Sequence, residues 1–286
     1  MKPQYQHELM TSFFMWFDHE LLQKGEAYSN KTGTLFSKPD SRLPAPWTPL
    51  QSNYKQWVND SSITGEVNPI IANPNSILDQ GSQLERSEYI YDYENGRILH
   101  TGAGTANNAT GTFAVKDFNI YLTNDTEEDL IIENKFTLNS RYGTPTIEGL
   151  EPYDQMVPAI FLNCEFMKNE GFAFGGEDKT NNSIKAVVLA ENEYQLDGSL
   201  SIFADSARKS FAKIPFSSHP STEYGDVKNG SYNYSSLRDL YLESNPYFID
   251  DVTVSKFSQK SQSSLPGEIK VGFIDFEVST VRYPRS

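Results

Sequence analysis

Cysteine is almost missing from this chain: Cys164 is the only one in 286 residues, so no intrachain disulfide framework can form and no oxidising compartment is called for. Histidine is nearly as scarce. His7, His19, His100 and His219 show no helical metal-ligand spacing and none pairs with the cysteine, which speaks against a zinc site. No stretch approaches the roughly 20 apolar residues that span a bilayer. The opening MKPQYQHELM lacks a basic region followed by an apolar run and a small-residue cleavage site, so the expectation is a soluble protein assembled where it is made, without a signal peptide. Basic residues are also few, 24 against 38 acidic ones, and the resulting charge of −14 disfavours a non-specific grip on nucleic acid or anionic lipid. No G-x-S-x-G elbow occurs, which leaves a serine hydrolase without positive evidence.

What remains is a run of short β-type segments. In residues 113–138, FAVKDFNIYLTNDTEEDLIIENKFTL, Phe118, Ile120 and Leu122 share one strand face and Asn119, Tyr121 and Thr123 the other. Residues 130–138 are expected to pair back antiparallel across NDTEED. In SEYIYDYENGRILH, Asn95-Gly96 between alternating apolar residues is the strongest hairpin signal, because both turn positions of a two-residue loop need positive φ. Residues 159–167 and 184–190 are more continuously apolar, as strands covered on both faces are. The chain closes with strands at 247–257 and 269–282, where the apolar phase shifts near Phe273-Ile274 as at a β-bulge.

Three segments read as helix. Leu9, Phe13, Trp16, Phe17 and Leu21 fall close to helical spacing over residues 7–24 and stop at Gly25, the competing reading being a strand over Phe13 to Phe17 that turns at Asp18-His19, and Phe13, Phe14, Trp16 and Phe17 are expected in the core or at a subunit interface. Leu196, Leu200, Phe203, Ala204, Ala207 and Phe211 form an amphipathic stripe that begins near Gln195 or Asp197 and that Pro215 ends; a shorter helix is expected over residues 235–243. Residues 32–76, which contain Pro39, Pro44, Pro46, Pro49 and Pro74, read as an extended arm with little regular structure that reaches onto neighbouring subunits. The fold class is therefore α+β and β-dominated: an antiparallel core, sandwich or barrel-like, with one or two amphipathic helices, in a single domain over 1–286.

Each candidate chemical site has a structural counterpart that fits better. The cluster GFAFGGEDKT at 171–180 has Glu177 and Asp178 where a phosphate loop needs glycine before Lys179-Thr180, so it reads as a turn between strands. Glu127-Glu128-Asp129, Glu191 with Glu193, and Asp250-Asp251 read as solvated surface rather than as the paired carboxylates of a glycosidase. No loop has the Asp/Asn spacing of a calcium hand, though Glu177 and Asp178 carry suitable oxygens. Cys164, in AIFLNCEF, reads as a small buried hydrophobe. Tyr89, Tyr91, Tyr93, Tyr232 and Tyr234 flank turns and could stack on sugars, but cross-strand structural pairing is favoured. The glycosylation-type sequons at Asn30, Asn59, Asn108, Asn124, Asn181, Asn229 and Asn233 are by-products of Asn- and Ser-rich turns. No catalytic, cofactor-binding or metal residues are assigned.

The runs FFMWFDHELLQKGEAYSN, YDYENGRI, VKDFNIYLTNDTEEDLIIENKFTLNSRY, FAFGGEDKTNNSIKAVVLAENEYQLDGSLSIFADS and VGFIDFEVSTVRYPR resemble a little-characterised group of virion structural proteins of tailed bacteriophages, particularly aquatic ones, and the likeness covers most of the chain. The passage from Ile184 to Phe211 is similar in style to neck and tail-completion proteins. The resemblance implies a non-enzymatic virion component without cofactors, assembled in the host cytoplasm as a homo-oligomeric ring around the DNA channel, beside portal and tail proteins. A capsid decoration, baseplate or receptor-binding tail protein is the alternative, and a polysaccharide-degrading tail enzyme the third reading.

Overall fold

The computed structural model describes residues 4–41, 43, 45–63, 77–101, 109–132, 137–138, 155–220, 231–244, 246–257 and 269–283. Helix α1 (Tyr5–Gly25) leads into β1 (Tyr28–Ser37) and β2 (Thr48–Gln51). Two short strands, β3 (Leu78–Asp79) and β4 (Ser82–Gln83), precede β5 (Tyr89–Asp92), β6 (Arg97–His100) and β7 (Ala109–Lys116). These seven strands form one sheet, ordered β4-β3-β7-β1-β2-β6-β5. After β8 (Asn119–Leu122) come α2 (Glu127–Ile132), β9 (Thr137–Leu138), β10 (Met156–Val157), β11 (Ala159–Gly171) and β12 (Asp178–Ala190). Helix α3 (Glu193–Ala204), β13 (Ser210–Phe211), helix α4 (Tyr234–Tyr241), β14 (Tyr247–Lys256) and β15 (Lys270–Arg282) complete the chain. The second large sheet is six-stranded, ordered β13-β14-β15-β12-β11-β8. The fold is thus α+β and β-dominated, two curled sheets with few helices. Among the described residues no helix is long and apolar enough to cross a membrane.

Helix α1 sits between the sheets. Its buried residues, Leu9, Ser12, Phe13, Met15, Trp16, Phe17, Asp18, His19, Leu21 and Leu22, lie all round its circumference, as on a helix enclosed by protein. Leu9, Phe13, Phe17 and Leu21 join the core formed with α3 and the six-stranded sheet, including Phe203, Phe211, Ile274 and Phe276. The Phe17 and Phe203 rings stack with centroids 3.8 Å apart. Leu22 points the other way, to Val58 and Ala114 of the seven-stranded half. Each buried aromatic contributes about 2–3 kcal/mol, whereas helix propensities among ordinary residues differ by at most about 0.7 kcal/mol, so burial decides this helix. Its end is fixed by packing too: a Cβ on Gly25 would stand 2.7 Å from Ile202 Cδ1 of α3.

Polar pins run along the same helix. Lys116 Nζ of β7 lies 2.8 Å from the Asp18 carboxylate, both side chains nearly without solvent contact, and the Tyr232 hydroxyl donates to Asp18 at 3.2 Å. His19 Nδ1 meets Asp60 Oδ2 at 2.7 Å. Asp60 Oδ1 in turn accepts from the backbone N–H of Ser62 and of Tyr234 and from the Ser62 hydroxyl. Burial pushes the Asp60 carboxyl up, but the bonds from His19, Ser62 and Tyr234 outweigh it and hold the group below the usual carboxylate range.

Several expectations need correction. Residues 32–63 are not an arm: β1 pairs with β7 from Tyr28↔Lys116 to Leu35↔Ala109, β2 pairs with β6, and Trp57 and Val58 are buried. Prolines were tolerated because Pro49 occupies a short strand while Trp57, stacked on Phe113 at 4.5 Å, supplies the core that the composition concealed. Residues 64–76 lie outside the described residues. Of residues 130–138, the described ones, 130–132 and 137–138, do not pair with β8, and 133–136 lie outside the described residues. The chain turns helical at α2 because Thr126 and Asp129 form a reciprocal cap, Asp129 N–H to Thr126 Oγ1 at 3.2 Å and Thr126 N–H to Asp129 Oδ2 at 3.1 Å; β8 pairs parallel with β11 instead, and β9 pairs parallel with β10.

The hairpin at Asn95-Gly96 is present, but its loop has four residues, 93–96, between Asp92 and Arg97, and only Gly96 takes positive φ (62°). Asp92 accepts from Asn95 and from Arg97, and so holds the loop. Helix α3 ends at Ala204 rather than running to Phe211. Asn192 caps it by accepting from Gln195 N–H at 2.8 Å while Gln195 Oε1 accepts from Glu191 N–H, and Phe211 reaches the same core from β13, paired with Tyr247. No register shift occurs at Phe273-Ile274. Val271 and Phe273 face one core and Ile274, Phe276 and Val278 the other, so the apparent phase change is a strand covered on both faces; the shift lies across from it, between Ile249 and Asp251. Strands β5, β6, β8, β14 and β15, helix α1 and the short helix α4 lie close to where the sequence predicts them; β11 and β12 run beyond the expected 159–167 and 184–190, and β3, β4, β7 and β10 are not anticipated.

The Asp18 and Lys116 pair gives a direct test. Lys116→Met alone strands a buried carboxylate and is expected to cost about 3–5 kcal/mol in urea unfolding. The double variant Asp18→Leu/Lys116→Met should lose clearly less than the single one. Equal losses would show that the pair is not a buried tie.

Candidate functional site

The strand alternation of the six-stranded sheet sorts its side chains into two very different faces. On one face Ile160, Leu162, Ile184, Ala186, Ile274 and Phe276 pack under α1 and α3. On the other, a core of Ala159, Phe161, Val187, Leu189 and Val271 covers only the end nearest α2. Beyond it the sheet is polar and open. Asp275 and Glu277 of β15 stand beside Asp250 and Asp251 of β14, with Thr253 opposite Asp275 and Asp251 opposite Glu277. Lys185 and Lys179 of β12, opposite Asp275 and Val281, are the interleaved cations.

These charges are only partly compensated. Lys185 Nζ lies 2.6 Å from Glu127, 3.2 Å from Glu165 and 3.5 Å from Asp275, and Lys179 lies 3.1 Å from Asp250. Partial burial lowers the proton affinity of Lys185, but its carboxylate neighbours outweigh that and raise its pKa above the ordinary lysine value. Glu277 moves as a crowded acid should. Partial burial raises its pKa first, Ser183 offsets part of this with a hydrogen bond, and Asp250, Asp251 and Asp275 add to the rise. The arrangement repels anions and attracts cations.

A cleft of about 270 Å³ adjoins this face, lined by Thr123, Asp125, Glu127, Phe161, Asn163 and Lys185 among others. Glu127 and Glu165 are the nearest approach to a glycosidase pair. The Lys185 ammonium lies between them, 2.6 Å from Glu127 and 3.2 Å from Glu165, where a glycosidase pair leaves room for the sugar.

The other sequence candidates are placed as follows. The glycines of 171–180 form the tip of the β11–β12 hairpin, closed by Phe172 N–H to Glu177 O at 3.0 Å, as the turn reading expects. Asp178 is buried at the start of β12, away from any loop cradle. Tyr89, Tyr91, Tyr93, Tyr232 and Tyr234 are all buried, so they serve packing rather than ligand contact. Cys164 is half-buried rather than enclosed, at the rim of the helix-side core. Among the described residues no group of three His, Cys, Asp or Glu side chains is placed to hold a metal.

His19, Asp60 and Ser62 carry the residue types of a hydrolase triad but not its order. Ser62 Oγ lies 3.5 Å from Nδ1, the same nitrogen that engages Asp60, and donates to Asp60 at 2.7 Å, whereas a relay uses the two ring nitrogens separately. The open acidic face escaped sequence reading because its acids come from strands far apart in the chain. Its local signals were Asp250-Asp251 and the Asp-x-Glu within VGFIDFEV, alternating with core residues. No family model matches this chain, and no curated protein matches its sequence.

The crowding of Glu277 has a signed consequence. A carboxyl whose folded pKa is raised favours the folded state at pH below the ordinary glutamate value and loses that contribution as pH climbs through the raised value. Glu277→Gln should therefore stabilise the protein at neutral pH, by at most about 0.5 kcal/mol once solvent screening is counted, with the gain vanishing in acid. Urea unfolding at both pH values checks this; a gain that grows in acid contradicts it.

Proposed function

We propose that this chain is a non-enzymatic structural protein of a tailed-bacteriophage particle, a ring-forming neck or tail-completion component whose open acidic sheet face borders the DNA channel. The observation that carries the reading is the set Asp250, Asp251, Asp275 and Glu277, gathered on a part of the sheet face that no helix covers among the described residues. A channel wall of this sign repels phosphates, which keeps passing DNA from adhering while contacts between subunits supply stability. The net charge of −14 and the resemblance to virion structural proteins agree with that role. Opposite this face α1 and α3 form a thick apolar backing, which suits a rigid wall.

A second reading rests on the hairpin tip. Phe172 is 61% exposed and Phe174 wholly so, on a glycine-rich turn that projects from the sheet. Large apolar groups at a projecting tip suit insertion into a neighbouring protein on the particle's exterior, as a decoration or receptor-binding protein would use.

Cross-linking of purified particles followed by mass spectrometry separates the two. Links from Lys179 and Lys185 to portal or tail-tube proteins are expected of the neck component. Links confined to the major capsid protein or to fibres would replace it with the exterior reading, and absence of the chain from particles would overturn both.

A further inference from the structure

The six-stranded sheet ends in two exposed strand edges that match one another. At one side β8 pairs with β11 only over Ala159–Leu162, partners Asn119–Leu122, and the backbone bond from Thr123 N–H to Leu162 O closes that contact. From Glu165 to Gly171 every residue of β11 is exposed, and among the described residues no strand lies on its outer side. At the other side β13 pairs with β14 only at Tyr247 and Phe248, followed by the bonds that join Arg208 and Lys209 to Ile249. From Asp250 to Lys256 the outer side of β14 likewise carries no strand among the described residues. Each stretch begins at a register shift, between Cys164 and Phe166 on β11 and between Ile249 and Asp251 on β14, the feature that ends pairing with one neighbour and turns a strand outward.

Direction and chemistry both fit a second copy of the same chain. β11, β12, β15 and β14 alternate in direction, so the two edges run opposite ways. A copy rotated about an axis along the strands therefore brings its β11 edge antiparallel to the β14 edge of the first, which continues the ladder without reversing the sheet. Lys168, whose side chain is 67% exposed, and Asp251 project on the same, acidic face of the sheet. Setting Lys168 opposite Asp251 places Met167 opposite Val252 on the helix side and Phe166 opposite Thr253 on the acidic side. That register joins an opposite-charge pair to the apolar residues that the β11 edge otherwise leaves in water, Phe166 at 51% and Met167 at 44% exposed.

We infer that copies of this chain associate head to tail through these two edges, the 165–169 stretch of β11 adding antiparallel to the 250–254 stretch of β14 in the register Lys168 to Asp251, and that the contact closes into a ring with one continuous acidic face. The inference deepens the ring reading above and rests on it for the closure alone. The edge contact is a property of the purified chain.

The full-length protein carrying Cys164→Ser, Lys168→Cys and Asp251→Cys tests it, because facing residues in an antiparallel pair bring Cβ atoms to ~5 Å, within reach of a disulfide after small adjustment. Mild oxidation is expected to yield a ladder of covalent multimers ending in one dominant closed species, while either cysteine alone leaves the chain monomeric on a non-reducing gel. Thr253→Lys/Val254→Lys, on exposed positions, should abolish association in sedimentation velocity with an unchanged melting temperature. Overturning results are a monomer that forms no interchain disulfide in the double-cysteine protein, a dimer from Asn169→Cys alone, which would mean β11 pairing with its own copy, or multimers that persist with both lysines in place. Any of these defeats the edge contact while incorporation into particles remains as found; a particle lacking the chain defeats the virion reading while the disulfide ladder stands.

Discussion

Enclosure of helix α1 between the two sheets is the constraint on which the rest depends. Phe13, Trp16 and Phe17 form an aromatic cluster with Phe203, Phe211 and Phe276, and the same helix reaches the other half through Leu22, Asp18 and His19. The apolar contacts give most of the energy. The buried polar ones give register: the Asp18 carboxylate must find Lys116, and His19 must find Asp60, or the charges stay buried without compensation. A helix satisfied in this way has little freedom to slide.

The open acidic face follows from that arrangement. With α1 and α3 both on one side of the six-stranded sheet, the small core around Leu130, Phe161, Val187 and Val271 covers the other among the described residues, and it stops short of the far half of β14 and β15. The uncovered strands therefore carry alternating core and charged residues, and cross-strand register sets Asp251 beside Glu277 and Thr253 beside Asp275. Concentrating like charges there is a cost to stability: burial first raises the Glu277 pKa, and Asp250, Asp251 and Asp275 add to the rise. Proteins retain such costs where a surface serves a function, and repulsion of a passing polyanion is one that a ring component would need.

Legibility of the fold in the sequence followed the range of the signal. The aromatic spacing of α1, the alternation of β8 and the apolar runs of β11 and β12 are local and were readable. So was the four-residue hairpin loop by its Asn-Gly, although the loop length was not, because the bonds from Asn95 and Arg97 to Asp92 that fix it involve positions outside a two-residue turn. Helix α2 was missed although its Thr126/Asp129 cap stands in the sequence, since Leu130, Ile131 and Ile132 read equally as strand. The stripe from Leu196 to Phe211 misled because a strand returned Phe211 to the core the helix had already entered. The acidic face was legible only in part, as the solvated pair Asp250-Asp251: Asp251 meets Glu277 only through the pairing of β14 with β15, which no short window contains.

Native-state hydrogen exchange on the full chain, read residue by residue, tests the central role of α1 most directly. If the helix ties both halves, its amides at Phe13 to Leu22 should exchange with the same opening free energy as those of β7 in one sheet and β12 in the other, and all three should fall together in the Lys116→Met variant. Loss of protection in α1 and β7 while β12 keeps its full value would show that the sheets stand independently and would contradict the account.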